Sequence, residues 1–280
     1  LPHIPSESWN ERIDWGGVFV NGQRLIADQE IELPCVVEYY EPKYKIASYH
    51  KAFPGITRNN IVYSDDYLIA IYKPAGLPTI EVKEQRHYHL RAIVEQWFGK
   101  PVHIPSRLDV SAQGLVLVSI APEFHDKLQK LFERRRVQKA YRLLLSGEVL
   151  WSKTIVNSAI GRDPRHPVLR RPVRSGGKLA LTEFSCKTSN TDHSLIEAKP
   201  VTGRTHQLRV HSSHLGHPIV GDRFYGGISA EELHLLSYRW QFQHPKTGRE
   251  INIIVPDRLM PAWVKKAAPG KQEAVAYPGA

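Results

Sequence analysis

Residues 101–120 read PVHIPSRLDVSAQGLVLVSI and combine a polar segment with an apolar one. The polar part is centred on Ser106–Asp109 and contains one carboxylate, that of Asp109. It is followed by Gly114 and an apolar run, Leu115–Val118. This order is typical of a loop that leads into a buried strand. We therefore expect Asp109 to lie at the edge of a sheet.

The Arg-Leu-Asp sequence at 107–109 resembles the motif of the RluA-type pseudouridine synthases that carries the catalytic aspartate. Three further segments resemble motifs of that family and occur in the same order along the chain. They are KPAGLP (Lys73–Pro78), KAYR (Lys139–Arg142) and GRTHQLRVH (Gly203–His211). Together the four segments span most of residues 60–256. The resemblance implies an enzyme that isomerises uridine in RNA.

The implied reaction explains why one carboxylate is enough. The N1–C1′ bond of a uridine breaks, the uracil turns, and a bond from C5 to C1′ replaces it. There is no redox step and no net hydrolysis, so we expect no cofactor. A carboxylate attacks the sugar or removes a proton from it, and the resemblance assigns this role to Asp109. A carboxylate in an enclosed pocket needs a cation to stay ionised, and the resemblance assigns that cation to Arg209.

Two further residues take their expected roles from the resemblance. Tyr141 corresponds to a family tyrosine that stacks on the target uracil and takes part in proton transfer from C5. Arg107 corresponds to an arginine that helps to fill the space left by the flipped uridine. Taken alone, a strand tyrosine more often packs in a sheet, and a loop arginine more often faces solvent. Lys73 and Pro74 are interpreted as structural, with Lys73 able to pair with a carboxylate or a phosphate.

The chain departs from the family pattern on both sides of Asp109. The family usually has His before Arg-Leu-Asp, and this chain has Ser106. It usually has Thr-Ser-Gly shortly afterwards, and this chain has Ala112-Gln113-Gly114. These changes bear on how the loop holds RNA more than on the reaction itself.

Charge points to a polyanionic partner. The chain has 38 Lys and Arg against 28 Asp and Glu, a formal net charge of +10. The stretch 161–178 is especially basic and is read as an exposed loop, either a solvated surface or an RNA-binding one. The residues predicted to bind RNA there are Arg162, Arg165, Arg170, Arg171 and Arg174. Arg134–Arg136 suit either a helix C-terminus or a phosphate contact.

Strands outnumber helices and do not alternate with them regularly, which favours an α+β fold with a mixed, mainly antiparallel sheet and flanking helices. We divide the chain into three parts. Residues 1–58 resemble an S4 RNA-binding remnant or a plain hairpin followed by a linker, with an Asn-Gly turn at 21–22. Residues 59–264 form the catalytic domain, and residues 265–280 are predicted to be a disordered tail.

Composition excludes several other classes. Only Cys35 and Cys186 are present, so neither a disulfide framework nor a zinc ribbon is expected. No apolar run is long enough to span a bilayer, and no secretory signal is recognisable, so we expect a cytoplasmic protein without a membrane partner. The chain begins with Leu1, which leaves open an upstream targeting segment that has been removed. A monomer is expected.

Two rival functions compete with the isomerase. His206, His211, His214 and His217 crowd together, but they lack the His-Glu-x-x-His spacing of a zinc enzyme, so no metal is expected. The other rival is a non-catalytic RNA-binding protein on a degenerate synthase fold. The joint presence of Asp109, Tyr141 and Arg209 argues against it, since a pure binding module needs none of their chemistry.

Overall fold

The computed structural model describes residues 9–10, 13, 18–27, 29–39, 55–82, 88–164, 166 and 168–267. Fourteen strands are named here: β1 Val18–Val20, β2 Gln23–Arg24, β3 Val37–Tyr39, β4 Ile61–Ser64, β5 Leu68–Lys73, β6 Gln113–Ser119, β7 Gln138–Ser146, β8 Lys153–Asn157, β9 Ile160–Arg162, β10 Arg170–Pro172, β11 Leu181–Ser189, β12 His193–Pro200, β13 Leu235–Gln243 and β14 Glu250–Ile254. The α-helices between residues 55 and 267 are α1 Leu90–Phe98, α2 Pro122–Glu133, α3 Gln207–His214 and α4 Ala262–Ala267, and residues 9, 10 and 13 are also helical.

The chain forms two compact units, Leu1–Lys130 and Leu131–Ala280. The N-terminal part of the first unit contains a small antiparallel sheet in the order β2-β1-β3. Asn21 and Gly22 both have positive φ, 50° and 78°, in the turn between β1 and β2. Positive φ at both positions is what a two-residue type I′ hairpin turn requires, and the sequence Asn-Gly favours it. The S4 assignment of this region stays a prediction.

The main sheet of the first unit runs β4-β5-β6, and its strands pair antiparallel. All six residues of β5 and all seven of β6 are buried, as their apolar sequences predict. One side of these strands packs against α1 through residues such as Ile71, Val116 and Val94. Helix α1 ends at Gly99, whose φ of 64° is the left-handed conformation that glycine adopts most easily.

The second unit is built on five strands in the order β13-β7-β12-β11-β8, and β14 adds to β13. Each pairing is antiparallel. Leu143 and Leu145 on β7 and Ile196 on β12 are completely buried, which places the core of this unit beneath its central strands. Helix α3 lies between β12 and β13 in the chain and contains the last five residues of the GRTHQLRVH segment, Gln207–His211.

Two expectations about secondary structure need correction. The basic stretch 161–178 is not simply a loop, because β9 and β10 form an antiparallel hairpin within it. The tail does not begin at residue 265, because α4 continues to Ala267. Trp263 and Val264 are both 7% exposed, and burial of their side chains stabilises this last helix. Residues 268–280 lie outside the described part of the chain.

The architecture confirms the α+β prediction, since helices pack on antiparallel sheets without a repeating β-α-β order. The predicted start of the catalytic domain after residue 58 stays a prediction.

Candidate active site

Asp109 lies in a loop, residues 106–112, that is held by backbone hydrogen bonds. The Asp109 carbonyl accepts from the Ala112 amide at 3.1 Å, and the Val110 carbonyl accepts from the Gly76 amide at 2.8 Å. The Asp109 side chain is half-buried. The loop is therefore attached to the KPAGLP segment, as well as to the strand β6 that follows it.

Lys73 is the main support of this loop. Its side chain is completely buried at the end of β5. The Nζ atom donates to the carbonyl oxygens of Ala112 at 2.6 Å and Val110 at 3.2 Å, on the Asp109 loop. It also donates to those of Leu77 at 2.8 Å and Pro74 at 2.9 Å. One ammonium group thus connects the two loops from inside.

Burial and charge act on Lys73 in opposite directions. Burial lowers the pKa of Lys73 to about 7, and the negative charge of Asp109 raises it. An ammonium has three N–H donors, so two of the four carbonyl oxygens share one of them. Since the side chain is completely buried, it cannot contact an RNA phosphate, and this supports the structural interpretation of Lys73.

Neighbouring contacts fix both sides of the same loop. Thr79 Oγ1 donates to the Leu108 carbonyl at 2.7 Å and accepts from the Leu108 amide at 3.1 Å. Gln113, which departs from the family pattern, is 6% exposed, and its Oε1 accepts from the Tyr72 hydroxyl at 2.6 Å. Arg107 is exposed, as a residue that engages RNA needs to be. The loop thus combines a rigid backbone with an accessible arginine.

Tyr141 lies in the second unit, in the middle of β7. It is half-buried and pairs with Ala198 on β12 and Ser237 on β13. Its neighbour Arg142 forms an ion pair with Glu197 at 3.3 Å. Lys139, two residues earlier, lies over the Trp240 ring with Nζ 4.7 Å from the centroid. Burial lowers the pKa of Lys139 to about 8.

Arg209 is held by a carboxylate that the sequence did not reveal, that of Asp222. Nε donates to Oδ2 at 2.8 Å and Nη2 donates to Oδ1 at 2.7 Å. The two side chains are 5% and 0% exposed. A bidentate pair of this kind fixes the plane of the guanidinium as well as its position.

Asp222 is placed by a tightly wound loop, residues 219–228, which we call the aromatic loop because it contains Phe224 and Tyr225. A Cβ atom on Gly227 would lie 1.9 Å from the Ile219 carbonyl oxygen, so only glycine fits there. Gly221 has φ +79°, and a Cβ there would lie 1.9 Å from the Glu232 carbonyl oxygen. Close backbone packing therefore sets the direction of the Asp222 side chain.

The first turns of α3 are anchored by a second polar network. Gln207 Nε2 donates to Thr182 Oγ1 at 3.0 Å, and Thr182 Oγ1 lies 2.9 Å from His211 Nδ1. His211 Nε2 lies 3.3 Å from the Ser158 carbonyl, so Nε2 carries the proton and Nδ1 accepts from Thr182. Burial lowers the pKa of His211. Arg209 thus projects from a helix that is fixed at both Gln207 and His211.

The histidines that were considered as metal ligands have separate hydrogen-bond partners. His206 Nδ1 lies 2.8 Å from the Tyr225 hydroxyl, and His217 Nδ1 lies 3.1 Å from the Ser146 carbonyl. Within the described ranges, no group of three or more His, Cys, Asp or Glu has the arrangement of a metal site. In the same part of the chain, no helix has the length and apolar character needed to cross a membrane.

The arginines predicted to bind RNA lie mainly on the β9–β10 hairpin and the loop after it. Arg162 and Arg170 are direct cross-strand partners. Arg162, Arg171 and Arg174 are exposed. Arg170 is half-buried, and its Nη1 donates to the carbonyls of Val168 and Leu169 at 2.8 and 3.0 Å. Arg165 lies outside the described residues.

Comparison with known proteins identifies the family. The RNA pseudouridylate synthase family matches residues 67–214, more than half of the chain. The chain belongs to this family. The match includes Asp109, Tyr141 and Arg209, and it confirms the prediction of an RluA-type pseudouridine synthase and of an isomerase.

Several relatives extend the match over more of the chain. An uncharacterized RNA pseudouridine synthase of Bacillus subtilis, YhcT, is 33% identical over 220 residues, covering 74% of this chain and 70% of that protein. The ribosomal large subunit pseudouridine synthase C of Vibrio vulnificus is 33% identical over 278 residues, covering 91% and 86%. The dual-specificity RNA pseudouridine synthase RluA of Vibrio parahaemolyticus is 30% identical over 211 residues, covering 72% and 84%.

Solved structures show the same fold. Human RNA pseudouridylate synthase domain containing 1 has a TM-score of 0.60 at 28% identity, covering 72% of this chain and 84% of that one. Human RNA pseudouridylate synthase domain containing 4 has a TM-score of 0.61 at 22% identity, covering 75% and 91%, and supports the fold alone.

The predicted residues are distributed over both units of this synthase. Asp109 and Arg107 belong to the first, and Tyr141, Arg209 and the hairpin arginines belong to the second. The pairing of Asp109 with Arg209 stays a prediction. Sequence reasoning missed Asp222 and understated Lys73. The available signals were a single carboxylate in the glycine-rich segment GDRFYGG and a lone lysine that ends an apolar strand.

Proposed function

We propose that this synthase converts specific uridines of structured RNA, ribosomal or transfer, to pseudouridine, with Asp109 as the nucleophile. The observation that carries the proposal is the placement of Asp109 in a loop whose Val110 and Ala112 carbonyls accept from Lys73 Nζ, which also binds the carbonyls of the KPAGLP segment. A nucleophile must be held in one geometry before its substrate arrives. A surface carboxylate that only kept the protein soluble would not need a loop fixed by a buried lysine.

The chemistry balances without a cofactor. Asp109 attacks C1′ or removes a proton from the sugar, and the N1–C1′ bond breaks with its electron pair going to the uracil. The uracil then turns and C5 bonds to C1′; on the first route this breaks the Asp109–C1′ bond, and on the second Asp109 returns the proton to the sugar. The proton on C5 leaves and N1 gains one, so the product is an isomer of the substrate. The target base must leave its stack, because C1′ and C5 both have to be reached.

Arg209 is proposed to keep Asp109 ionised. A guanidinium carries five N–H donors, of which Asp222 takes two. The pair with Asp222 is therefore compatible with a second carboxylate on the remaining donors. Sharing the cation would stabilise the charge of Asp109 less than an exclusive pair would, which leaves the carboxylate more reactive toward carbon.

Tyr141 and the exposed arginines complete the proposal. Tyr141 stacks on the turned uracil and assists loss of the C5 proton. Arg107 engages the RNA next to the flipped nucleotide. The arginines of the β9–β10 hairpin hold phosphates, which fix the position of the RNA without reading its sequence. The names of two relatives, one a ribosomal large subunit pseudouridine synthase and one a dual-specificity RNA pseudouridine synthase, support an RNA substrate.

Tritium release tests the proposal, since the C5 proton is lost only if the base is isomerised. RNA labelled at C5 of its uridines is incubated with the natural chain, with Asp109→Asn and with Asp126→Asn. Asp126 is an exposed carboxylate of α2, with its side chain 73% exposed, and serves as the matched control. We expect release with the natural chain and the control, and none with Asp109→Asn. Binding of RNA without release by the natural chain would instead indicate the non-catalytic protein.

The position of the target uridine is found by mapping. Pseudouridines are mapped across total RNA from cells with and without the gene. Sites present only with the gene are the substrates, and they distinguish ribosomal from transfer RNA. The monomeric state and the cytoplasmic location stay predictions, which light scattering on the purified chain and imaging of the tagged chain would test.

A further inference from the structure

An exposed aromatic ring lies in the aromatic loop, beside the buried pair of Arg209 and Asp222. Phe224 is 38% exposed, whereas Asp222, two residues earlier, is 1% exposed. The Phe224 amide donates to Asp222 Oδ1 at 3.1 Å, so the backbone that carries the ring is tied to a buried carboxylate. The ring is thus presented at the surface from a rigid support.

Cationic and aromatic groups surround the ring. The His206 ring is stacked with it, at 6.4 Å between centroids and 19° between planes. Cζ of Arg209 lies 5.3 Å from its centroid, and the His166 ring lies 6.1 Å away. A single exposed apolar residue is ordinary on a protein surface. The position of this exposed phenyl ring among an arginine and two histidines is more specific than chance exposure of one apolar side chain would produce.

The next residue connects the aromatic loop to the arginine hairpin. The Tyr225 hydroxyl accepts from the Arg170 amide at 3.0 Å and lies 2.8 Å from His206 Nδ1. Arg170 is paired across the hairpin with Arg162. Two like charges directly opposite each other destabilise a strand pair, and a bound RNA phosphate would neutralise them. Phe224 therefore adjoins a surface that is suited to phosphates.

We propose that Phe224 is a stacking platform for an unpaired base of the RNA. This rests on the proposed function, to which it adds a binding residue outside the four motifs. Proteins that hold single-stranded RNA combine a cationic surface for the backbone with aromatic rings for the bases, and both elements are adjacent here. Every base has a π face, so the contact selects for unpaired RNA and not for a sequence.

The test compares Phe224→Leu with Phe224→Tyr. Leucine keeps an apolar side chain and removes the ring, whereas tyrosine keeps the ring. Binding is measured by fluorescence anisotropy with a short single-stranded oligouridylate and with a blunt duplex that contains the same strand. A 5-iodouridine version of the oligonucleotide is photo-crosslinked to the natural chain, and the modified residue is located by mass spectrometry.

We expect Phe224→Leu to raise the Kd for the single strand about tenfold, within the range found for loss of one stacked base. Duplex binding should change less than about twofold, because paired bases offer no free face. Phe224→Tyr should bind like the natural chain, and the crosslink should fall on Phe224. Unchanged single-strand binding, equal losses for both RNAs, or a crosslink confined to other residues would overturn the proposal.

The outcome is separable from that of the proposed function. If the natural chain releases no tritium, the isomerase proposal fails whatever the binding results are. If it releases tritium while Phe224→Leu binds single strands normally, only the stacking proposal fails. Urea unfolding of both variants checks that any loss of binding comes from the folded protein.

Discussion

Asp222 holds Arg209 by two parallel hydrogen bonds, from Nε at 2.8 Å and from Nη2 at 2.7 Å, with both side chains almost fully buried. A buried charge without a partner is costly, so each of these residues requires the other. The GRTHQLRVH segment therefore does not position its arginine alone. The aromatic loop, some thirteen residues further along the chain, fixes the guanidinium.

Replacement of Asp222 tests this dependence. Asp222→Asn keeps the shape but leaves the Arg209 charge buried without a counter-charge, which should lower the free energy of unfolding by about 3–5 kcal/mol. Urea unfolding measures it. Asp126→Asn removes a carboxylate from the exposed pair with Lys130 and should cost less than about 1 kcal/mol. Equal effects of the two substitutions would contradict the structural role of Asp222.

Replacement of Lys73 tests the support of the Asp109 loop. Lys73→Met keeps an unbranched buried chain but removes the donor shared by four carbonyls. We expect stability to fall by about 2–4 kcal/mol, because buried acceptors lose their partner. Tritium release should fall far more than RNA binding, since the arginine surface is unchanged. If activity survives at temperatures where the variant is folded, the loop does not depend on this lysine.

The arginine hairpin is tested by salt dependence. Arg162→Gln should weaken RNA binding and reduce the slope of log K against log salt by about one, as expected for one lost phosphate contact. It should not reduce stability, because it removes a charge opposite Arg170. Arg170→Gln should also cost about 1 kcal/mol of stability, through its bonds to two carbonyls. Arg249→Gln, at the exposed β13–β14 turn, is the control, and a slope change there as large as that for Arg162→Gln would refute the assignment.

The lowered pKa of His234 predicts how the stability of the second unit depends on pH. Burial, aided by the charge of His193, lowers the pKa of His234 from 6.5 to about 4, and its ring is stacked on Trp263 at 4.9 Å. Between pH 6.5 and 4 the unfolded chain binds a proton that the folded one does not. Stability should therefore fall as the pH falls through this range.

The change that isolates this effect is His234→Phe, which keeps the stack and removes the titrating group. The fall in unfolding free energy from pH 6.5 to 4 should be smaller in this variant than in the natural chain. His214→Gln, at an exposed position, should reduce the fall less than His234→Phe does, because His214 acts only through a minor effect of its charge on the pKa of His211. Identical pH profiles for the natural chain and His234→Phe would show that other groups carry the dependence.

Local patterns were sufficient for most of the fold. The apolar run after Gly114 predicts the buried strand β6, and Gly99 marks the end of α1, because strand burial and helix termination depend on neighbouring residues. The arginine hairpin was missed for the same reason. Its sequence has the composition of a solvated loop, and one contact that holds β10 comes from Tyr225, more than fifty residues later, whose hydroxyl accepts from the Arg170 amide.

The candidate site depends on tertiary contacts that neighbouring residues in the sequence do not predict. The resemblance indicates Asp109 and Arg209, but no spacing in the sequence connects Arg209 with Asp222. That pair forms because Gly221 and Gly227 let the aromatic loop wind tightly enough to bury a carboxylate. Likewise, a lysine at the end of a strand is usually exposed. Lys73 is buried because four carbonyls from two loops converge on it, which only the tertiary structure reveals.

The most direct test of the proposed role of Asp109 is the single-turnover rate of tritium release at saturating RNA, measured for the natural chain and for Asp109→Asn together with the Kd of each for the same RNA. We predict that the substitution lowers the rate by more than about a thousandfold, as loss of a covalent nucleophile does, while the Kd changes by less than about threefold. Release by Asp109→Asn at a rate close to that of the natural chain would contradict the assignment of the nucleophile.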